Sequence, residues 1–170
     1  AVSGADNLKT ALMTNSHDIV VAPINLGAQL YAASKSTYKV STIITGNNAF
    51  IVAKNDAPLT SITDLTDKDV IAFGSTGVPG KLLSSLYAKN GMNTDKIDFT
   101  QASSAAAFSA FQTSEANYAL MSEPEVSRLA LENKFPFKIL DLSTYIDGFL
   151  PQACVCVKDG ADATAVSNFH

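Results

Sequence analysis

DVIAFGSTGVPG, residues Asp69 to Gly80, decides how this chain is read. Asp69–Phe73 is a short apolar strand. Gly74–Gly77 is a turn of small polar residues, and a helix that tolerates Pro79 in its first turn follows from Val78. Such a turn aims backbone N–H groups and small hydroxyls at whatever stands before it, which suits an anion or the polar end of a small molecule. Ser75, Thr76 and Gly77 are therefore candidate contacts. The same residues have an ordinary use, with Ser75 or Thr76 capping the helix. The segment is not a P-loop, because Leu82 stands where a Ser or Thr would follow Gly80-Lys81. Its glycine spacing is not the dinucleotide fingerprint either.

Strands and helices alternate on both sides of this stretch. Upstream, residues 5–16 read as a short helix with Leu8, Ala11 and Leu12 on one face. The apolar run 18–22, DIVVA, reads as a buried parallel strand closed by Pro23. A small-residue helix follows over 25–33, with Asn25 as cap or as ligand group. Residues 38–45 and 49–54 read as extended segments separated by Gly46-Asn47-Asn48, a polar hinge suited to a crossing between two lobes. Downstream, the helix 78–89 buries Leu82, Leu83, Leu86 and Tyr87 and stops at Asn90-Gly91. Then come a strand at 97–100, a helix at 104–113 with Ala107, Phe108 and Phe111 inward, and a strand at 118–121. A helix over 123–133, with Pro124 near its first position, precedes strands at 138–142 and 153–157. A helix is expected to begin after Asp159. The alternation predicts an α/β fold with mostly parallel sheets and helices on both faces. Ligands of such sheets sit beyond the carboxyl ends of strands. Asn25, Asn47 and Asn48, Ser75–Gly77, and Ser122 with Glu123 all follow predicted strands, so they form one candidate set.

Composition narrows the function. A net charge of −4 with dispersed basic residues, Arg128 being the single arginine, argues against nucleic acid and anionic membrane surfaces. No stretch approaches the roughly 20 apolar residues of a membrane helix. Cys154 and Cys156 share one face of a strand at a spacing poorly suited to a disulfide, and read as two small buried groups. With His17 and His170 remote in sequence and no Cys-x-x-Cys, no metal site or cofactor is predicted. His17 reads as a surface turn residue. No Gly-x-Ser-x-Gly elbow occurs and no carboxylate pair stands out, so no catalytic residue is assigned.

Several segments together resemble a known family: LKTALMTNSHDIVVAP (8–23), NAFIVAKND (48–56), SITDLTDKDVIAFGSTG (61–77), AAFSAFQTSEANYALMSEPEVSRL (106–129) and QACVCVKDG (152–160). They are similar to the substrate-binding components of bacterial ABC importers for nitrate, sulfonates, taurine and thiamine precursors, of the periplasmic-binding-protein-like type II fold. The resemblance implies a two-lobed clamp, with residues 1–45 and 149–170 in lobe one and 46–148 in lobe two. Asn25, Asn47, Ser75, Thr76, Gly77, Ser122 and Glu123 are carried over as cleft contacts, and Asn48 stands beside them. It implies a small-molecule solute, an ABC permease as partner, no nucleic acid, and an extracytoplasmic location, as a lipoprotein in single-membrane bacteria. Members usually run near 300 residues, so lobe one is expected to be incomplete here, open to being covered by a second copy. The Lys-Gly-Lys that follows Asp-Leu in the family is Thr66-Asp67-Lys68 here, which disfavours a strongly anionic solute. Two other readings share the fold: an enzyme of thiamine-pyrimidine or menaquinone biosynthesis, and the effector domain of a LysR-type regulator.

Overall fold

In the computed structural model, which describes residues 5–32 and 37–169, the chain divides into two units. One comprises residues 1–46 with 150–170, and the other residues 47–149.

The first unit is built on three antiparallel strands. β1 (Ile19–Pro23) and β2 (Tyr38–Gly46) flank β8 (Pro151–Lys158), which arrives from the far end of the chain. Ile19 pairs with Val157 and Pro23 with Ala153. The helices α1 (Ala5–Met13) and α2 (Ile24–Ala32) supply Leu12 and Leu30 to a small core with Val20, Ala22, Tyr38, Cys154 and Cys156. This corrects the expectation of a buried parallel strand at 18–22. β1 is an antiparallel strand of alternating burial, with Val20 and Ala22 inward and Val21 43% exposed. The apolar run arises because one valine sits on the outward side. Asn25 is likewise not a cap, since α2 starts at Ile24 and Asn25 lies half-buried inside its first turn. The reading of the two cysteines holds. Both are free and buried, with Sγ atoms 3.6 Å apart, and burial pushes the Cys156 thiol up to about 12. His17 is exposed; its ring contacts the Ser16 hydroxyl and its carbonyl accepts a hydrogen bond from Tyr38.

The second unit is a five-stranded sheet ordered β5-β4-β6-β3-β7, formed by β3 (Phe50–Lys54), β4 (Val70–Phe73), β5 (Ile97–Gln101), β6 (Tyr118–Met121) and β7 (Phe137–Asp141). β4 runs parallel to β5 and β6, while β3 is antiparallel to both β6 and β7. The fold class is α/β as expected, but one sheet is antiparallel and the other mixed, rather than mostly parallel. The mixing lies in β3, which enters from the other unit and runs against its neighbours. On one face α4 (Ser104–Thr113) and α5 (Glu125–Glu132) bury Ala107, Phe108, Phe111, Val126 and Leu129 against Val52, Ile71, Ala119 and Met121. The alternate positions Ile51, Val70, Ala72 and Leu120 are also buried, and α3 (Val78–Lys89) packs on that side with Leu83 and Tyr87.

Lys54 closes the lower end of this core. Its Nζ donates to the carbonyls of Phe111 at 2.6 Å and Ser114 at 2.7 Å, over the Phe111 ring. It thereby satisfies acceptors left open where α4 ends. Burial holds its amine below the ordinary lysine range.

Candidate functional site

The register of the five-stranded sheet decides which loops meet. Phe50 pairs with Met121 and with Asp141, and Phe73 pairs with Gln101. The carboxyl ends of β4, β5, β6 and β7 and the amino end of β3 therefore form one edge. Asn47 and Asn48 precede β3 at that edge, Ser75–Gly77 leave β4, and Ser122 and Glu123 leave β6. Seven of the eight residues proposed from sequence lie there. The eighth, Asn25, belongs to the other unit.

The turn after β4 is shaped by three glycines spaced three apart. Gly74 has φ +64°, a conformation that costs little without a side chain. Its carbonyl accepts the N–H of Gly77 at 2.8 Å, closing the turn. Gly77 is itself the N-cap of α3 and makes no side-chain cap bond. Neither Ser75 nor Thr76 takes that place, and both are exposed. A Cβ at Gly80 would stand 2.2 Å from the Gly74 carbonyl oxygen, so the first turn of α3 presses on this turn only because residue 80 has no side chain. Sequence reading singled out the turn but not the role of Gly80.

The turn after β6 is held by bonds from two other loops. Ser122 Oγ donates to the Asn48 carbonyl at 2.8 Å, and Asn48 Oδ1 accepts the Glu123 N–H at 2.6 Å. Ser122 is buried, whereas Glu123 is exposed. Glu123 Oε2 accepts the Ser127 N–H at 3.0 Å and so serves the first turn of α5, whose N-cap is Pro124. Helix α5 thus begins two residues later than expected.

A fourth loop at the edge was not selected from sequence. Gln101 ends β5, Ser103 caps α4, and Ser104, the first residue of α4, has an Oγ that accepts the Ser122 N–H at 2.9 Å. The signal was present in QASS, a polar run between a strand and a helix. Asp141, at the end of β7, accepts the Ser143 N–H at 2.8 Å.

The edge is rich in hydroxyls, amides and carboxylates. Arg128 lies further along α5, over the Phe108 ring and bonded to Glu132 at 2.6 Å. Glu132 also bonds Lys134 and Gln112, and these partners hold its carboxyl down at about 2. Among the described residues no group of three or more His, Cys, Asp or Glu is placed to hold a metal ion. No helix among them is long and apolar enough to cross a membrane. The first unit has a different hollow, an apolar cavity of about 380 Å³ lined by Leu12, Ile24, Gly27, Tyr31, Tyr38 and Cys156 among others.

A family model described as NMT1/THI5 like matches residues 4–161. Comparison with curated proteins returns no match. Among solved structures, the chain is similar to an ABC transporter protein from Parabacteroides distasonis, with a TM-score of 0.77 and 16% identity over 99% of this chain and 57% of that one. It is similar to the periplasmic aliphatic sulphonate binding protein SsuA from Escherichia coli, with a TM-score of 0.74 and 17% identity over 98% and 55%. It is also similar to the alkanesulfonate-binding protein SsuA from Xanthomonas axonopodis pv. citri, solved bound to MOPS, with a TM-score of 0.61 and 19% identity over 98% and 56%. The chain thus spans little more than half the length of these structures. The likeness shows the fold, which is that of the type II periplasmic-binding proteins.

Proposed function

The chain belongs to the NMT1/THI5-like family, and from that premise we propose that it works as the solute-binding part of an ABC importer, outside the cytoplasm. It takes a small polar organic solute and delivers it to a membrane permease. The observation that carries this reading is the convergence of polar loops on one edge of the five-stranded sheet, from β3, β4, β5 and β6. Asn47, Asn48, Ser75, Thr76, Gly77, Ser122 and Glu123 line this wall in the proposal, and Asn25 of the first unit is a further contact. The units 1–46 with 150–170 and 47–149 act as its two lobes. Binding shifts an equilibrium between open and closed arrangements and involves no covalent step.

Isothermal titration of the longest natural form of the protein against a panel of small polar solutes tests this. Micromolar binding of a panel member, weakened at least about tenfold (about 1.4 kcal/mol) by Ser75→Ala combined with Asn48→Ala, is the expected result. A panel without any binder, or binding indifferent to these substitutions, sinks the proposal.

A further inference from the structure

The two serines that open α4 divide their work. Ser103 Oγ accepts the Ala106 N–H at 3.2 Å, an ordinary cap bond. Ser104 reaches away from its own helix. Its Oγ accepts the Ser122 N–H at 2.9 Å and makes a longer contact, 3.5 Å, to the Ser122 carbonyl. With Asn48 Oδ1 on the Glu123 N–H, both amides that begin the turn after β6 are already engaged by side chains from other loops.

This decides what the corner has left to offer a solute. An oxyanion at a strand-to-helix turn is held by free backbone N–H groups, and here the first two are spent. A charged acceptor at this corner is the Glu123 carboxylate. Its Oε2 receives the Ser127 N–H, while Oε1 accepts no hydrogen bond from the described residues. An anion arriving here would find no open amide at 122 or 123 and would face a like charge.

We infer that Ser104 is a positioning residue that latches the turn after β6, so that this corner of the site selects a hydrogen-bond donor of the solute, an ammonium or hydroxyl group, over an oxyanion. The choice of solute group rests on the proposed solute-binding reading of this edge, whereas the latch does not.

Residue-resolved NMR on the full chain tests both parts. In the unsubstituted protein the Ser122 and Glu123 amides exchange slowly with solvent, and titration with sodium sulfate leaves their resonances in place. Ser104→Ala speeds exchange at Ser122 by about tenfold, the scale of one lost hydrogen bond. Ser104→Thr restores slow exchange. Ser103→Ala, which loses the neighbouring cap bond, leaves Ser122 exchange unchanged, and this separates the latch from general loosening of α4. Unchanged Ser122 exchange in Ser104→Ala overturns the latch. Sulfate-induced shifts at Ser122 or Glu123 in the unsubstituted protein overturn the donor preference, and that arm needs no variant to fold. If Ser104→Ala opens Ser122 while the solute panel yields no binder, the latch stands and the solute-binding reading falls.

Discussion

The two units solve the problem of burying a sheet differently. In residues 47–149, helices cover both faces of the sheet, and all four residues of β6 are buried. In the other unit a three-stranded sheet has α1 and α2 against one face, and β2 leaves Val40, Ile43 and Ile44 well exposed among its nine residues. An apolar cavity lies beside α2, and Tyr31 is 76% exposed. Apolar burial is the main stabilising term of a fold. Among the described residues, apolar burial is therefore concentrated in the unit that carries the candidate solute edge, and stability is expected to follow it.

Core truncation is the strongest way to break this contrast. Phe111 is fully buried between α4 and the sheet, and Phe111→Ala is expected to cost about 3–5 kcal/mol. Leu12 is as buried but borders the existing cavity, so Leu12→Ala is expected near the low end of its range, about 2 kcal/mol. Denaturant titration read by hydrogen exchange in each unit gives both values. Equal losses would mean that the first unit is packed as tightly as the second.

Glycine replacements sharpen the same contrast with opposite signs. Gly80→Ala forces a Cβ onto the Gly74 carbonyl and is expected to cost about 1–3 kcal/mol, with resonance shifts through residues 74–77. Among the described residues, a Cβ at Gly27, inside α2, would meet only Cys156 Sγ at 3.7 Å. Gly27→Ala is expected to stabilise by about 0.5–1 kcal/mol, because alanine loses less backbone freedom in a helix. Thermal melts of the two variants should move in opposite directions, and a Gly80→Ala protein as stable as its parent would remove the structural reason for glycine there.

Acid titration gives the smallest effect. Glu132 is held down at about 2, from an ordinary 4.5, by Lys134, Gln112 and Arg128. Its folded-state pKa is depressed, so its contribution is present above pH 4.5 and is lost as pH falls toward 2. Glu132→Gln should flatten that part of the stability profile of the second unit. The ion pair Lys39–Asp159 of the first unit has side chains 80% and 53% exposed, and Lys39→Met should leave its profile unchanged. A Glu132→Gln profile that still falls as steeply would mean other carboxylates govern the acid limb.

Local chemistry made much of this molecule legible in one dimension. The helices 78–89 and 104–113 and the strand 118–121 stand where their periodicity and stop signals place them. The inward residues Leu82, Leu83, Leu86, Tyr87, Ala107, Phe108 and Phe111 are those the spacing names. These features are written into neighbours within a few residues, through side-chain spacing, a Pro at a helix start or a Gly at its end. The polar character of the strand ends was also legible, because a strand-to-helix turn needs small residues whatever it faces.

Pairing between distant segments was decided only in three dimensions. DIVVA reads the same as a parallel core strand or an antiparallel one with a valine turned outward, and the arrival of β8 alone chose the second. The sheet of the second unit is mixed because β3 runs against β6, a direction set by chain path rather than composition. Ser122 and Asn48 looked like groups waiting for a solute, and the fold binds them to each other. Ser104 looked like a helix residue, and it latches a turn 18 positions away. Sequence alone determined which segments are helix or strand and which turns are polar, because those depend on local spacing. Tertiary structure decided strand direction, the closeness of Gly80 to Gly74, and which hydroxyls and amides are already spent, because each depends on contacts between parts of the chain that do not read one another in sequence.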